Sequence, residues 1–230
     1  MPALLGGVTV LASDPDAQAS FWQRLLGLER RGTTLLPGPA FPFPITFEAT
    51  AEPLVLPSQT HLHLTSNAST QEETVARAVG LGASYVDVGQ QPDEDHVVLA
   101  DPEGNAFCVI EEGNQWLAGT PLLGELACDG TREVGVFWSA ALGWPMVHDQ
   151  DGETAIQQDP AGPKIAWGGP PLDERLGRNR VHLHLVADDP DDLDAEVERL
   201  VALGATLRTR GTDVELADPD GNEFHLRGSP

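Results

Sequence analysis

The sequence is poor in positive charge. Its 230 residues contain 13 lysines and arginines against 36 aspartates and glutamates, which gives a formal net charge of -23 at pH 7. Phosphate backbones and anionic membrane surfaces repel a protein of this charge. We therefore expect neither nucleic acid nor a membrane as a partner. Lysine-dependent chemistry has a single candidate, because Lys164 is the only lysine.

Cysteine and long apolar runs are also scarce. Cys108 and Cys128 are the only cysteines and do not form a Cys-x-x-Cys motif, so a disulfide framework is excluded and a reducing compartment is favoured. No apolar run approaches the ~18 residues of a membrane span, and the N-terminus lacks the basic and apolar segments of a signal peptide. The expected location is the cytoplasm.

What the sequence does contain is an internal repeat. Four motifs occur twice and in the same order, namely FW followed by LG (from 21 and 137), HLHL (61–64 and 182–185), LGA (81–83 and 203–205) and DP[ED]GN (101–105 and 218–222). Self-similarity on this scale indicates a duplicated domain. We predict domain 1 over residues 1–115 and domain 2 over residues 120–230, with a linker within 111–121. The duplication favours two hydrophobic cores.

Each copy is itself predicted to divide into two halves, each with a strand, a helix and further strands. In the first half, Asp14 and Pro15 begin a helix that Gly27 ends. In the second half, the alternation of histidine and leucine is typical of a strand. Ser69 with Glu72 then predicts a capping box. The last helix is predicted over residues 190–203. The DP[ED]GN motifs are interpreted as structural turns, because proline, glycine and asparagine suit turn dihedral angles.

These motifs, in this order and twice, resemble the vicinal oxygen chelate superfamily. The chain is most similar to its glyoxalase-like and bleomycin-resistance-like branch, in a fused two-domain form, and the resemblance covers nearly the whole chain. It implies an α+β fold in which tandem βαβββ modules form two glyoxalase/bleomycin-resistance/dioxygenase-type domains with cup-shaped mixed sheets. It also implies a divalent metal in a cup, held by side chains from the first and last strands of the modules.

The resemblance assigns ligand positions to particular residues. His61 and His182 fall on the first-strand position of their halves, and Cys108 and His225 fall on the final-strand position, where glyoxalase I-like members carry glutamate. Glu48 aligns with a final-strand carboxylate. If a cup joins the first half of one domain to the second half of the other, Glu48 approaches His182 and His225. This set is our predicted site for one divalent ion of zinc, nickel, manganese or iron.

The remaining cup positions are expected to line a pocket. Alternation places His61, His63 and His184 on the cup face, and Cys108 joins the first two. We predict that this second cup holds no metal, so that the two cups are unequal. The opening-strand position falls on Gly7 in one copy and near Leu122 in the other. Neither residue offers a ligand atom, and this departure argues against ordinary glyoxalase I activity.

Two functions of different classes follow. The first is binding of a small organic molecule in a cup, as in a resistance or sequestration protein, and an acidic, aromatic-lined cup would suit a cation. Phe43, Trp116, Trp144 and Trp167 are the aromatic residues from which such a pocket could draw. The alternative is a metal-dependent lyase, isomerase or dioxygenase, with Glu215 or Glu48 moving the proton. A monomer or a homodimer is compatible with either function.

Overall fold

The computed structural model describes residues 2–90, 94–188, 193–211 and 213–228. Within them the chain forms four modules, each with one strand, one helix and three strands. Module 1 comprises β1 (Leu4–Ala12), α1 (Pro15–Leu26), β2 (Arg30–Arg31), β3 (Thr34–Leu35) and β4 (Ile45–Ala49). Module 2 comprises β5 (Thr60–Leu64), α2 (Gln71–Leu81), β6 (Ser84–Tyr85), β7 (Val97–Ala100) and β8 (Ala106–Val109).

The second repeat has the same order of elements. Module 3 comprises β9 (Leu123–Cys128), α3 (Arg132–Leu142), β10 (Met146–Gln150), β11 (Glu153–Gln157) and β12 (Lys164–Trp167). Module 4 comprises β13 (Val181–Val186), α4 (Leu193–Leu203), β14 (Thr206–Thr209), β15 (Val214–Ala217) and β16 (Glu223–Arg227). The α+β architecture of tandem βαβββ modules is confirmed. The predicted start of the last helix, at residue 190, lies outside the described residues.

The modules combine into two eight-stranded mixed sheets. The first sheet has the order β14-β15-β16-β13-β1-β4-β3-β2 and joins module 1 to module 4. The second has the order β10-β11-β12-β9-β5-β8-β7-β6 and joins module 2 to module 3. In each sheet the two central strands are antiparallel, β1 with β13 and β5 with β9. Each cup is therefore built from one module of each repeat.

The helix boundaries follow from local capping. Asp14 accepts a hydrogen bond from the backbone N–H of Ala17 at 3.1 Å and caps α1, which ends at Gly27 with φ of 67°. The capping box of α2 lies one residue later than predicted, because Thr70 and Glu73 form it. The Ser69 hydroxyl instead hydrogen-bonds the Thr74 hydroxyl at 2.8 Å.

One main hydrophobic core runs through both repeats, whereas the duplication favoured two separate cores. The reason is that each helix with a Phe-Trp pair packs under a strand of the other sheet. Phe21 and Trp22 of α1 contact Phe107 of β8, with ring centroids 6.3 and 5.1 Å apart. Phe137 and Trp138 of α3 contact Phe224 of β16 in the same way. The packing of helices against both sheets joins the cores.

The repeated acidic turns are structural, as the sequence predicted. Asp101 is 4% exposed, and its Oδ1 accepts hydrogen bonds from the backbone N–H groups of Glu103 and Asn105, both at 3.0 Å. Its Oδ2 accepts a hydrogen bond from the indole of Trp22 at 3.3 Å. Burial raises the pKa of Asp101, and these bonds oppose the rise. One buried carboxylate thus holds both its own turn and the α1 tryptophan.

Replacing Asp101 with Ala should reduce the free energy of unfolding by about 2 kcal/mol or more, because several buried donors lose their acceptor. Urea denaturation followed by circular dichroism measures the loss. Asp159→Ala is the matched control, since Asp159 is exposed and its carboxylate accepts the backbone N–H of Ala161 in a surface turn. Equal losses in the two variants would contradict the structural role of Asp101.

Candidate functional site

The second sheet gathers a cluster of three soft and borderline ligand groups. His61 and His63 project from β5 on one face, and Cys108 of β8 pairs with His63 across the sheet. The ligand atoms of the three residues all lie within 4.8 Å of one another. Among the described residues, this is the one group of three or more histidine, cysteine or acidic side chains close enough to hold a metal ion. From the sequence we predicted that the cup of His61, His63 and Cys108 holds no metal.

A chain of hydrogen bonds runs across this cup. The Trp116 indole donates to Glu125 Oε1 at 2.6 Å, and His63 Nδ1 donates to Glu125 Oε2 at 2.7 Å. The Nε2 atoms of His63 and His61 are 2.9 Å apart, so one ring donates to the other. Glu125 lies opposite His63 because β9 pairs with β5. The central antiparallel pairing therefore completes a site that neither module forms alone.

The cluster is electrostatically polarised. Burial lowers the pKa of His63. Hydrogen bonds and negative charge from Cys108 and Glu125 outweigh this effect and raise the pKa to about 9. Burial raises the pKa of Cys108, but hydrogen bonds from His61, His63 and His96 lower it to about 4. The two shifts therefore favour the thiolate form of Cys108 and the protonated form of His63. A thiolate is the form of cysteine that binds metal ions.

A cavity of about 590 Å³ opens beside this cluster, between modules 2 and 3. Its wall includes His61, His63, Glu125 and the rings of Trp116 and Trp167. Two alanines of the central and neighbouring strands, Ala127 and Ala166, also line it. Their small side chains leave space on the cup face. The volume falls within the range of small-molecule sites, about 300–1,000 Å³.

The wall of this cavity is acidic. Glu125, Asp129, Glu153 and Asp173 all line it, and no lysine or arginine occurs among its described lining residues. Burial raises the pKa of Asp129, and the charge of Asp173 raises it further. In the part of the chain that the structure covers, no ion pair joins Asp129 or Asp173 to a basic residue. The carboxylates at this end of the cavity are therefore not neutralised by the protein.

The first sheet brings His182 and His225 together, with ring centroids 5.5 Å apart. Burial lowers the pKa of His182 to about 3 and that of His184 to about 4, so both rings are neutral. The buried nitrogens of His182 and His225 have no hydrogen-bond partner among the described residues. A neutral imidazole with an unbonded nitrogen, as in His182, is suited to bind a metal. The geometry of this pair is compatible with the predicted site.

In the first cup, formed by the first sheet, the carboxylates form ion pairs with arginines. Glu48 Oε1 lies 3.5 Å from an Arg227 guanidinium nitrogen, which also lies 2.5 Å from Asp213. Glu215 pairs with Arg178 at 2.7 Å and lies 3.6 Å from His225 Nε2. The structure thus pairs Glu48 with arginine, and it does not group Glu48 with the two histidines. The set of His182, His225 and Glu48 stays a prediction, as do Glu48 and Glu215 as proton carriers.

Gly7 cannot be replaced by a ligand residue without rearrangement. Its φ is 145°, and a Cβ atom there would lie 2.6 Å from the backbone oxygen of Pro44. Gly7 pairs with His184 in the first sheet, whereas Glu125 pairs with His63 in the second. The departure at Gly7 therefore has a steric reason. The equivalent position in the second sheet is Glu125, so the predicted position near Leu122, without a ligand atom, is wrong.

Two residues of the candidate site are not predicted by the sequence. The sequence prediction did not include Glu125, although it is the one charged residue in the apolar strand LGELAC, and an isolated charge in such a strand indicates a site residue. His96 has its pKa raised by hydrogen bonding to Cys108, and no sequence motif marks it. Of the four aromatic residues considered for a pocket, Trp116 and Trp167 line the cup cavity. Phe43 and Trp144 line another cavity, of about 650 Å³, outside that cup.

Comparison with known proteins agrees with this architecture. The sequence profile of the glyoxalase-like domain matches twice, at residues 7–110 and 125–227. Glyoxalase I from Zea mays superposes with a TM-score of 0.70 at 12% identity, over 97% of this chain and 92% of that one. A candidate dioxygenase from Bacillus subtilis superposes with a TM-score of 0.64 at 14% identity, over 100% of this chain and 86% of that one. No curated protein matches the chain.

Four βαβββ modules in two cup-like sheets give the chain the fold of glyoxalase I. The profile covers most of the chain, and the chain therefore belongs to the glyoxalase-like domain family. The structural neighbours, at 12% and 14% identity, show the shared fold alone.

Replacing Glu125 with Gln should lower the pKa of His63, because the substitution removes the carboxylate charge. The raised pKa of His63 means that its protonation stabilises the folded state fully below pH ~6.5, and that this contribution is lost as the pH rises through about 9. Titration of the ring protons by NMR measures the pKa. Glu153→Gln is the control, since Glu153 lines the same cavity but lies 3.9 Å from His148. An unchanged pKa in the Glu125 variant would refute this electrostatic account.

Proposed function

We propose that the chain binds a small organic molecule in the cavity of the second sheet. The observation that carries the proposal is the 590 Å³ cavity, in which two tryptophan rings meet a few converging polar groups. Apolar walls with a small number of placed polar groups are typical of ligand sites. Each cup is complete within one chain, so binding does not require a second copy.

The acidic wall favours a cationic ligand. Carboxylates that lack basic partners attract positive charge, and the partly exposed ring of Trp116 would add a cation–π contribution. The overall charge of -23 acts in the same direction, because it concentrates cations near the protein. We therefore propose an organic cation that carries an apolar or aromatic group.

The two cups support different roles. In the first cup, Arg178 pairs with Glu215, and Arg227 is shared between Asp213 and Glu48. In the second cup, the carboxylates of Asp129 and Asp173 are left for a ligand. This contrast supports the second cup as the binding site. The biological role we propose is sequestration of the ligand, in the cytoplasm. No helix among the described residues is long and apolar enough to cross a bilayer, and Cys108 and Cys128 are both free.

A metal-dependent lyase, isomerase or dioxygenase is the second candidate function. The specific observation in its favour is the group of His61, His63 and Cys108, whose donor atoms lie within 4.8 Å of one another. Two imidazoles and a thiolate suit zinc and other transition metals. A metal ion held there would polarise a ligand oxygen in the adjacent cavity. In that arrangement Glu125, rather than Glu48 or Glu215, lies at hand to move a proton.

Filling the cavity should weaken small-molecule binding. Ala166→Leu should weaken the binding of phenyltrimethylammonium about tenfold or more, because the larger side chain occupies cavity space. Isothermal titration calorimetry measures the affinity, and circular dichroism verifies the fold. Ala76→Leu on the exposed face of α2 is the matched control. Absence of binding to the wild-type protein, or an unchanged affinity in the cavity variant, would contradict the proposal.

Metal titration distinguishes the two metal hypotheses. Zinc titrated into the wild-type protein should show at most one tight site per chain, since the two cups carry different donors. Loss of that site in Cys108→Ala assigns it to the second cup, whereas loss in His225→Ala assigns it to the first. In the second cup, affinity should rise with pH up to about 9, because His63 must lose its proton. Two equivalent sites per chain would refute the inequality of the cups.

A further inference from the structure

Lys164, the chain's only lysine, contacts Trp116, a residue of the wall of the proposed binding cavity. It is the first residue of β12, where it pairs with Glu125 of β9 in the parallel register. Its stem therefore rises from the sheet beside the hydrogen-bonded chain of Trp116, Glu125 and His63. Burial lowers the pKa of Lys164, while the charge of Glu125 opposes this shift.

The ammonium group of Lys164 is held by Trp116. Its Nζ lies 3.8 Å from the centroid of the Trp116 ring and also donates a hydrogen bond to the backbone oxygen of Trp116. This is a cation–π contact, and its geometry places the charge directly on the ring. Trp116 is 37% exposed and belongs to the cavity wall. The ring that would attract a ligand cation is thus already in contact with a cation of the protein.

We propose that Lys164 is a tethered competitor that sets the specificity of the cavity for cations. This inference rests on the proposed function, because it requires that the cavity bind an organic cation. An incoming cation would displace the ammonium group from the Trp116 ring, whereas a neutral ligand of the same shape would leave it in place. Lys164 therefore weakens the binding of every cation. Only a cation that makes further contacts with the acidic wall gains enough binding free energy to displace the ammonium group.

The test compares a charged probe with a neutral one of similar shape. Phenyltrimethylammonium and tert-butylbenzene are titrated into the wild-type protein and into Lys164→Met, which keeps an apolar stem and removes the charge. The variant should bind the cation about threefold or more tightly, because the ring face becomes free and a like charge is removed. Its affinity for tert-butylbenzene should not change. Arg24→Met, which removes a positive charge from the exposed side of α1, is the control for net charge.

Each outcome separates this inference from the proposed function. Equal or weaker binding of the cation by Lys164→Met would overturn the competition while leaving the cavity as the binding site. The same gain in Arg24→Met would also overturn it, because the effect would then come from net charge. If neither probe binds the wild-type protein or the variant, the proposed function fails, and the competition fails with it.

A second measurement uses the wild-type protein and does not depend on the variant's fold. Acylation of the Lys164 amine by an N-hydroxysuccinimide ester can be followed by peptide mass spectrometry without interference from other lysines. Saturation with phenyltrimethylammonium should speed this acylation about threefold or more, since the amine is released from the ring. Tert-butylbenzene should leave the rate unchanged. An unchanged or slower rate with the cation would refute the displacement.

Discussion

The antiparallel pairing of β1 with β13 and of β5 with β9 is the contact on which the architecture depends. A single βαβββ module is a four-stranded half-cup that leaves the edge of its first strand without a partner. Joining two modules along this edge satisfies the backbone groups and closes the cup. The same pairing places Glu125 opposite His63, so the hydrogen-bonded cluster of the second cup is a direct product of the sheet register.

Duplication gave the chain two similar cups, and their present difference lies in a few side chains. His61 and His63 correspond to His182 and His184, but Cys108 corresponds to His225. In the first cup burial lowers the pKa of His182 and His184, and arginines pair with the carboxylates. In the second cup Cys108, whose pKa is lowered, and His63, whose pKa is raised, lie beside an open, acidic cavity. Similar backbones thus support one cup filled by ion pairs and one cup with space for a ligand.

Much of the fold could be predicted from the sequence because its signals are local. Alternating histidine and leucine, the glycine at the end of α1 and the repeated acidic turns each determine nearby dihedral angles or a buried face. The short strands β2, β3 and β6 and the polar strands β10 and β14 carry no such pattern, since hydrogen bonds to neighbouring strands create them. The capping box of α2 was displaced by one residue because Ser69 and Thr70 are chemically alike.

The site was harder to predict because it depends on contacts distant in sequence. The approach of Glu125 to His63, and of Trp116 to Lys164, follows from the joining of modules 2 and 3. The pairing of Glu48 with Arg227 depends on the joining of modules 1 and 4. A resemblance to a family gives the positions that can hold ligands, but it does not give the charge that neighbouring residues have already neutralised.

The chain order of the modules also determines when each cup can form during synthesis. Modules 2 and 3 are consecutive, so the second sheet has all its strands once the ribosome has passed residue 167 and released that segment. Strand β1 is the first of these strands to be made and pairs with β4 of its own module, yet its other edge pairs with β13, so that edge has no partner until the last module emerges. An early strand with a late partner is exposed to incorrect pairing in the nascent chain. The cup proposed to bind a ligand is thus the one that the order of translation favours.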